Sequence, residues 1–173
     1  STAHSSCSDA DAGYYVDSTA ATSQTACSTG TYQPSTGQTS CLDADAGYYV
    51  PTSASSTQTA CSAGTYHPST GQSSCINASP GHYVPTSAST SQTACSIGTY
   101  QPSIGQSSCI EAGAGYYVPT SASTSQTECS TGTYQPSTGQ SSCIDADAGY
   151  YVASTASPSQ TAWAPGAYQP STG

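Results

Sequence analysis

The sequence predicts an all-β protein with little regular secondary structure, built as an elongated rod of tandem 17-residue hairpin blocks stapled by disulfides. Three observations lead to this fold class. Tyr recurs with a 17-residue period, Cys recurs with twice that period, and Leu, Ile, Val and Phe together supply only eleven of the 173 residues. So few apolar residues cannot form a large hydrophobic core, which favours short cross-linked blocks that stabilise one another.

The 17-residue block reads Gly-x-Tyr-x-Pro. The Gly lies two positions before the Tyr in all ten blocks, and a Pro follows two positions after the Tyr in eight of them. A fixed period of this kind is the signature of a repeat architecture, in which each unit contacts its neighbours. The repeated tyrosines are Tyr15, Tyr32, Tyr49, Tyr66, Tyr83, Tyr100, Tyr117, Tyr134, Tyr151 and Tyr168.

The cysteines recur with a doubled, 34-residue period. Alignment of 27–43 with 44–60 places Cys27 on Ala44 and Cys41 on Gln58, so alternate blocks lack the cysteine pair. We therefore predict the end of a truncated repeat at 1–9 and a truncated fifth repeat at 146–173, with complete repeats between them at 10–43, 44–77, 78–111 and 112–145.

Every complete cysteine pair has the same short sequence offset, which predicts four local disulfides and leaves Cys7 unpaired. The competing set bonds Cys7 to Cys27 and Cys41 to Cys61, with a longer offset per bridge, and stays open from the sequence. Regular cysteine spacing in so polar a chain indicates an oxidising, extracellular setting. The predicted local pairs are Cys27–Cys41, Cys61–Cys75, Cys95–Cys109 and Cys129–Cys143.

Each block is expected to contain two short extended segments and a turn, and no helix. In block 27–43 the segments are GTYQ and QTSC, joined by PSTG, because Pro presets the first turn dihedral and Gly adopts a conformation that other residues avoid. A Cys27–Cys41 bridge would then close the open end of the hairpin, and the repeated tyrosines would pack against neighbouring backbone. A β-solenoid with one 17-residue coil per turn and a Tyr ladder is the alternative.

The composition excludes several classes of function. The chain has no Lys or Arg and a net charge of −9, so nucleic acid is not an expected partner. No apolar run is long enough to cross a bilayer, and we expect no membrane insertion in this segment. About a third of the residues are Ser or Thr, so the presence of Ser, His and Asp indicates no catalytic triad, and we expect no enzymatic activity. The isolated His4, His67 and His82 are expected to be surface substitutions.

The cysteine blocks resemble the ephrin-receptor-like cysteine-rich repeats, whose signature runs C-x-x-G-x-Y, a Gly and a closing Cys. The matching residues are Cys27, Gly30, Tyr32, Gly37 and Cys41, with their equivalents in each cysteine-bearing block. The departure from the family pattern is the missing cysteine pair in every second block. The resemblance implies an extracellular adhesion or scaffolding role and no single activity.

An Asp-x-Asp-x-Gly motif recurs three times and is the one weak metal candidate. Two carboxylates at this spacing are found in calcium loops, but no distal Glu follows here, and a solvated acidic turn is the plainer interpretation. No other cofactor is expected. The calcium candidates are Asp9, Asp11, Asp43, Asp45, Asp145 and Asp147.

The function that these features predict is a structural extracellular fibre or surface stalk, with an adhesive, ligand-binding repeat module as the alternative. Runs of Ser and Thr beside Pro in the cysteine-free blocks are typical of O-glycosylated stalks and, without apolar residues, are expected to carry little order of their own. The expected partners are covalent glycans and the chain itself, continued head to tail or within a longer chain. The expected acceptors are Thr52, Ser53, Thr86, Ser87, Thr120 and Ser121.

Overall fold

The computed structural model describes residues 7–167, and in that range the chain forms nine antiparallel hairpins and no helix. The first four hairpins pair β1 (Tyr14–Tyr15) with β2 (Thr25–Ala26), β3 (Thr31–Tyr32) with β4 (Leu42–Asp43), β5 (Tyr48–Tyr49) with β6 (Thr59–Ala60), and β7 (Thr65–Tyr66) with β8 (Ile76–Asn77). The other five pair β9 (His82–Tyr83) with β10 (Thr93–Ala94), β11 (Thr99–Tyr100) with β12 (Ile110–Glu111), β13 (Tyr116–Tyr117) with β14 (Thr127–Glu128), β15 (Thr133–Tyr134) with β16 (Ile144–Asp145), and β17 (Tyr150–Tyr151) with β18 (Thr161–Ala162).

The all-β hairpin repeat predicted from the sequence is confirmed, and its register is the same in both kinds of block. Tyr32 pairs with Leu42 in a cysteine-bearing hairpin, and Tyr49 pairs with Thr59 in a cysteine-free one. The loss of the cysteine pair therefore leaves the register of the hairpin unchanged.

The second strand of each cysteine-bearing hairpin lies later than predicted. The expected segment QTSC ends at Cys41, whereas β4 consists of Leu42 and Asp43. Cys41 thus lies on the loop side of the strand pair. Cys27 precedes a turn, closed by the Thr31 amide donating to the Ser28 carbonyl at 3.0 Å, that leads into β3. The bridge therefore connects the segment entering the hairpin to its loop and does not close the open end.

The chain divides into two compact units. One comprises the residues up to Asn77 together with Thr86–Ser91, and the other comprises Ala78–Pro85 together with the residues from Gln92 onward. Each unit contains hairpins of both kinds.

Within the first unit, consecutive hairpins are joined by backbone hydrogen bonds. The amides of Gly30 and Gln33 donate to the carbonyls of Val50 and Ser55 at 2.8 and 3.0 Å, and the Ala54 amide donates back to Cys27 at 2.8 Å. Since buried backbone groups must find such partners, these bonds fix the position of each hairpin against the next without using side chains.

The same three bonds recur within the second unit. There the amides of Gly98 and Gln101 donate to Val118 and Ser123, and the Ala122 amide donates to Cys95. The bonding pattern is therefore a property of the 17-residue block and is independent of the unit in which the block lies.

The core consists of small residues at two repeated positions. The opening Cys and the aligned Ala are buried at the first position, with Cys27, Ala44 and Cys61 all 0% exposed. Val and Gln alternate at the second, three positions after the repeated Gly, where Val50 and Val118 are also 0% exposed. The repeated tyrosines of the described blocks, from Tyr15 to Tyr151, are half-buried, and their expected packing against neighbouring backbone stays a prediction.

One loop residue has a positive φ in every hairpin, and its identity depends on the kind of block. It is Gly71 (φ 71°) in a cysteine-bearing loop and Ala54 (φ 56°) in the aligned position of a cysteine-free loop. Alanine in this left-handed region costs about 1–2 kcal/mol relative to a right-handed conformation, because its Cβ approaches the following carbonyl.

We therefore expect Ala54→Gly to raise the free energy of unfolding by about 0.5–1 kcal/mol, the relief of strain being partly offset by a more flexible unfolded chain. The reverse change, Gly71→Ala, is the matched control, since the nearest atoms to its new Cβ belong to the Asp43 side chain, at the ordinary contact distance of 3.5 Å. It should lower stability by a similar amount. Denaturant unfolding of both variants checks this, and a loss of stability in Ala54→Gly would contradict it.

Candidate functional site

The loops between paired strands contain the closing cysteines and the predicted glycan acceptors. Four of them are connected to the segment that enters their hairpin by the local disulfides Cys27–Cys41, Cys61–Cys75, Cys95–Cys109 and Cys129–Cys143, each with a sequence separation of 14 and with Cα atoms 5.7 to 5.8 Å from one another. Cys7 is exposed and free. These are the local pairs expected from the sequence, and the competing set is absent.

A buried glutamine organises each of three cysteine-bearing loops. Gln33 is 5% exposed; its Nε2 donates to the Ser40 carbonyl at 2.8 Å, and its Oε1 accepts from the Ser35 amide at 3.1 Å. Gln101 and Gln135 make the same pair of bonds. Among the described residues, no buried side-chain nitrogen or oxygen lacks a partner, so the buried amide group of each of these glutamines is paired.

Histidine replaces this glutamine in one loop. His67 Nδ1 accepts from the Ser69 amide at 3.2 Å, which reproduces one of the two glutamine bonds. His82 Nδ1 lies 3.2 Å from the Pro80 carbonyl. The hydrogen bond of each ring is to a residue two positions away, both residues are half-buried, and His4 lies outside the described residues.

The cysteine-free loops are ordered by their own hydroxyl groups. Ser55 Oγ donates to the Thr52 carbonyl at 2.9 Å and lies 3.1 Å from Thr52 Oγ1. The equivalent residues of the next two cysteine-free loops do the same. Backbone bonds to Ala54 and Ser55 from the preceding hairpin add to this. The expectation that these runs carry little order of their own was therefore wrong.

The predicted glycan acceptors lie at the tips of these loops. Thr52 and Ser53, Thr86 and Ser87, and Thr120 and Ser121 are all exposed. The threonine of each pair uses its hydroxyl in the contact just described, whereas the structure gives the serine hydroxyl no hydrogen bond. These hydroxyls are accessible, and their modification stays a prediction.

The two carboxylates of the repeated Asp-x-Asp motif contact different parts of the molecule. Asp45 Oδ2 accepts from Gln58 Nε2 at 2.6 Å, while the Asp45 amide donates to Gln58 Oε1 at 2.7 Å. Asp43 instead lies against the loop of another hairpin, its carboxyl carbon 3.5 Å from the point where a Gly71 Cβ would stand. The Asp–Gln pair connects the segment that enters the hairpin to the loop residue just before its second strand, and it recurs at Asp11–Gln24 and Asp147–Gln160.

No group of three or more His, Cys, Asp or Glu side chains able to hold a metal ion occurs among residues 7–167. The candidates Asp9, Asp11, Asp43, Asp45, Asp145 and Asp147 therefore offer two carboxylates per motif at most, one of them already bonded to glutamine in the three motifs. Calcium binding stays a prediction.

Sequence reasoning did not anticipate an exposed apolar position that recurs once in each 34-residue repeat. Leu42, Ile76, Ile110 and Ile144 follow the closing cysteines and are 43 to 47% exposed. Tyr32 pairs with Leu42 across the hairpin, and each isoleucine has an equivalent tyrosine. The alignment of the residue after each closing Cys could have revealed this position.

The final hairpin of the second unit carries an aromatic pair. Trp163 occupies the position of an opening Cys, and its ring lies 4.7 Å from that of Tyr151, at an interplanar angle of 40°. In the part of the chain that the structure describes, no helix is long and apolar enough to cross a membrane.

Comparison with known families gives one match. Residues 93–129 fit the family model described as tyrosine-protein kinase ephrin type A/B receptor-like. This range contains the Cys95–Cys109 disulfide and the cysteine-free hairpin that follows it, so it corresponds to one cysteine-bearing block and one cysteine-free block. No curated protein matches the chain.

Proposed function

We propose, from the premise that the chain carries ephrin-receptor-like cysteine-rich repeats and is an extracellular or cell-surface module, that it acts as a structural spacer. In this role it forms part of an extracellular fibre or surface stalk and needs no enzymatic activity and no cofactor. The observation that carries the proposal is the bonding within each unit, where hairpins are joined through backbone groups and small buried residues. Added repeats then add length while the surface side chains remain free to vary.

The spacer is proposed to be O-glycosylated on its cysteine-free loops. Support comes from the exposure of Thr52, Ser53 and their four equivalents, and from the acidic, cation-free surface on which they lie. Glycans at these loop tips would project into solvent and would cover the loops without displacing a buried group. The disulfide-bearing hairpins would alternate with the coated ones.

The spacer is also proposed to continue head to tail, within a longer chain or between copies. In the hairpin β3–β4 the carbonyls of Gln33 and Gln38 accept from the hairpin before it. The equivalent carbonyls of the first described hairpin belong to Val16 and Ala21, and no described residue donates to them. These two residues and Ala20 line an open concavity. In the proposed continuation, a preceding hairpin of the same kind would donate to these two carbonyls.

The shape of the isolated chain tests the spacer role. A compact chain of this length has a radius of gyration of about 16 Å, and we expect small-angle X-ray scattering to give a clearly larger value with a rod-like scattering profile. Analytical ultracentrifugation over a range of concentrations should accompany it, because growth of the particle along its length would indicate head-to-tail association. A compact, monomeric sphere would overturn the proposal.

Intact-mass measurement on native material tests the O-glycans. We expect a mass above the bare 17.2 kDa of the polypeptide. Alanine at the six acceptor positions should remove most of the excess. The matched control places alanine at six exposed hydroxyl positions of the disulfide loops and should leave the excess unchanged; these positions are Ser35, Thr36, Ser69, Thr70, Ser137 and Thr138. A native mass of 17.2 kDa would contradict glycosylation and leave a bare spacer.

The adhesive module is the second candidate, and the exposed apolar position favours it. Leu42 and the equivalent isoleucines present one apolar side chain per 34-residue repeat beside a half-buried tyrosine, which suits repeated weak contacts with a partner surface. Threonine at Leu42, Ile76, Ile110 and Ile144 separates the two functions. If the chain is an adhesive module, beads coated with the parent protein should attach to cells and beads coated with the variant should not. If it is a spacer, the parent beads should not attach, and the variant should keep the scattering profile of the parent.

A further inference from the structure

We propose that Asn77 is the acceptor of an N-linked glycan, a modification separate from the O-glycans of the loops. It rests on the proposed extracellular role, because the carbohydrate donor is met on the secretory route. The sequence Asn77-Ala78-Ser79 is an acceptor sequon, with a residue other than Pro in the middle position.

The sequon stands where the other repeats carry acidic residues. Asn77 aligns with Asp43 and Asp145, and Ser79 aligns with Asp45 and Asp147. This repeat therefore has Asn-x-Ser where three others have Asp-x-Asp, and two fewer negative charges than they have; the remaining repeat has Glu111 and Gly113 at these positions.

The backbone presents both sequon side chains outward. Asn77 ends β8, where it pairs with Thr65, and is exposed. Ala78 is buried at 0% exposure, and Ser79 is exposed. Since alternate residues of an extended segment share one side, the acceptor amide and the serine hydroxyl project together while Ala78 fixes the segment to the core. A glycan on Asn77 would therefore extend into solvent and would leave the core undisturbed.

The local hydrogen bonds leave the serine hydroxyl available. The Ser79 amide donates to Gln92 Oε1 at 2.7 Å, as the Asp45 amide does to Gln58. Asp45 uses its side chain for a second bond to Gln58, whereas the structure gives the Ser79 hydroxyl none. The exchange of Asp for Ser keeps the backbone geometry of the hairpin and gives up only the side-chain part of the Asp–Gln pair.

The reaction is a group transfer from a lipid diphosphate-linked oligosaccharide, catalysed by the secretory transferase. The Asn77 side-chain nitrogen forms a bond to the anomeric carbon and loses one proton. The bond between that carbon and the diphosphate oxygen breaks, and the lipid diphosphate leaves with the electron pair. Pro80 directly follows the sequon, a position where proline disfavours transfer, and it begins the turn that leads to Gly81.

The test is secretion of the full chain from eukaryotic cells, followed by peptide:N-glycosidase treatment and mapping of chymotryptic peptides. We expect a loss of mass on treatment and conversion of Asn77 to Asp. Asn77→Gln and Ser79→Ala should abolish the mass loss, while Ser79→Thr should retain it. O-glycans resist this enzyme, so the result is independent of the loop glycans and of the spacer shape.

The double variant Asp43→Asn/Asp45→Ser is the positive control, because it creates Asn-Ala-Ser at the aligned position of the preceding repeat, followed there by Ala46 in place of Pro80. It should gain one further enzyme-sensitive glycan. Modification at position 43 without modification of Asn77 would overturn the proposal. So would an unmodified chain from cells that glycosylate a reference secreted protein in the same experiment.

Discussion

Gly47→Ala is expected to lower the free energy of unfolding by about 2 to 5 kcal/mol, combining left-handed strain with overpacking. Gly47 has a φ of 83°, and a Cβ there would overlap the carbonyl oxygen of Ala88 and lie 2.8 Å from its carbonyl carbon. The Ala88 carbonyl cannot move freely, because the amide of the same residue donates a hydrogen bond to the Cys61 carbonyl at 2.8 Å. The substitution should therefore open the contact between hairpins of the first unit.

Gly149→Ala separates the two causes. Gly149 has a φ of 89°, and no described atom lies within 4 Å of its added Cβ. Its cost should be about 1 to 2 kcal/mol, the strain alone. Denaturant unfolding gives both values, and amide hydrogen exchange at Ala88 and Cys61 should accelerate only in Gly47→Ala. Equal costs in the two variants would show that the close approach has no energetic role.

Removal of one disulfide has the second large expected effect. In the double variant Cys61→Ala/Cys75→Ser, we expect a loss of about 3 kcal/mol, the chain-entropy value for a ring of about 15 residues. Cys61 is buried at a position where Ala44 is buried in the neighbouring block, so alanine should fit there without strain. The cost then reports the lost cross-link and not a packing defect.

The loss should be local, because repeat proteins open in cooperative segments. Amide exchange should accelerate in β7 and β8 and leave the cysteine-free hairpin β17–β18 protected. Cys7→Ser is the control for loss of a thiol, since Cys7 is exposed and free, and its stability should equal that of the parent chain. Uniform acceleration across all nine hairpins would show that the disulfides act on the chain as a whole.

The sequence by itself determined the repeat. The period of the Gly-x-Tyr motif predicted the 17-residue block, and the shared offset of the cysteines predicted the local disulfides that the structure contains. The block and the disulfide pairing can both be predicted from the order of residues along the chain, since a residue type that recurs at a fixed spacing occupies the same environment each time. The exposed tips of the cysteine-free loops were also found in this way, because Ser, Thr and Pro have little apolar surface to bury.

Only the tertiary structure decided which residues form the core and where the strands lie. The sequence predicted that the repeated tyrosines pack against neighbouring backbone, but it did not predict that Cys27, Ala44 and Val50 would be fully enclosed while each described Tyr of the period is half-buried. Backbone hydrogen bonds between hairpins bring backbone segments of consecutive blocks so close to each other that only small side chains fit between them. The Gly30 amide, for example, donates a hydrogen bond at 2.8 Å to the carbonyl of Val50, which belongs to a different block. Periodicity shows which residues are equivalent, whereas contact between blocks depends on register and closeness of approach, which no local pattern encodes.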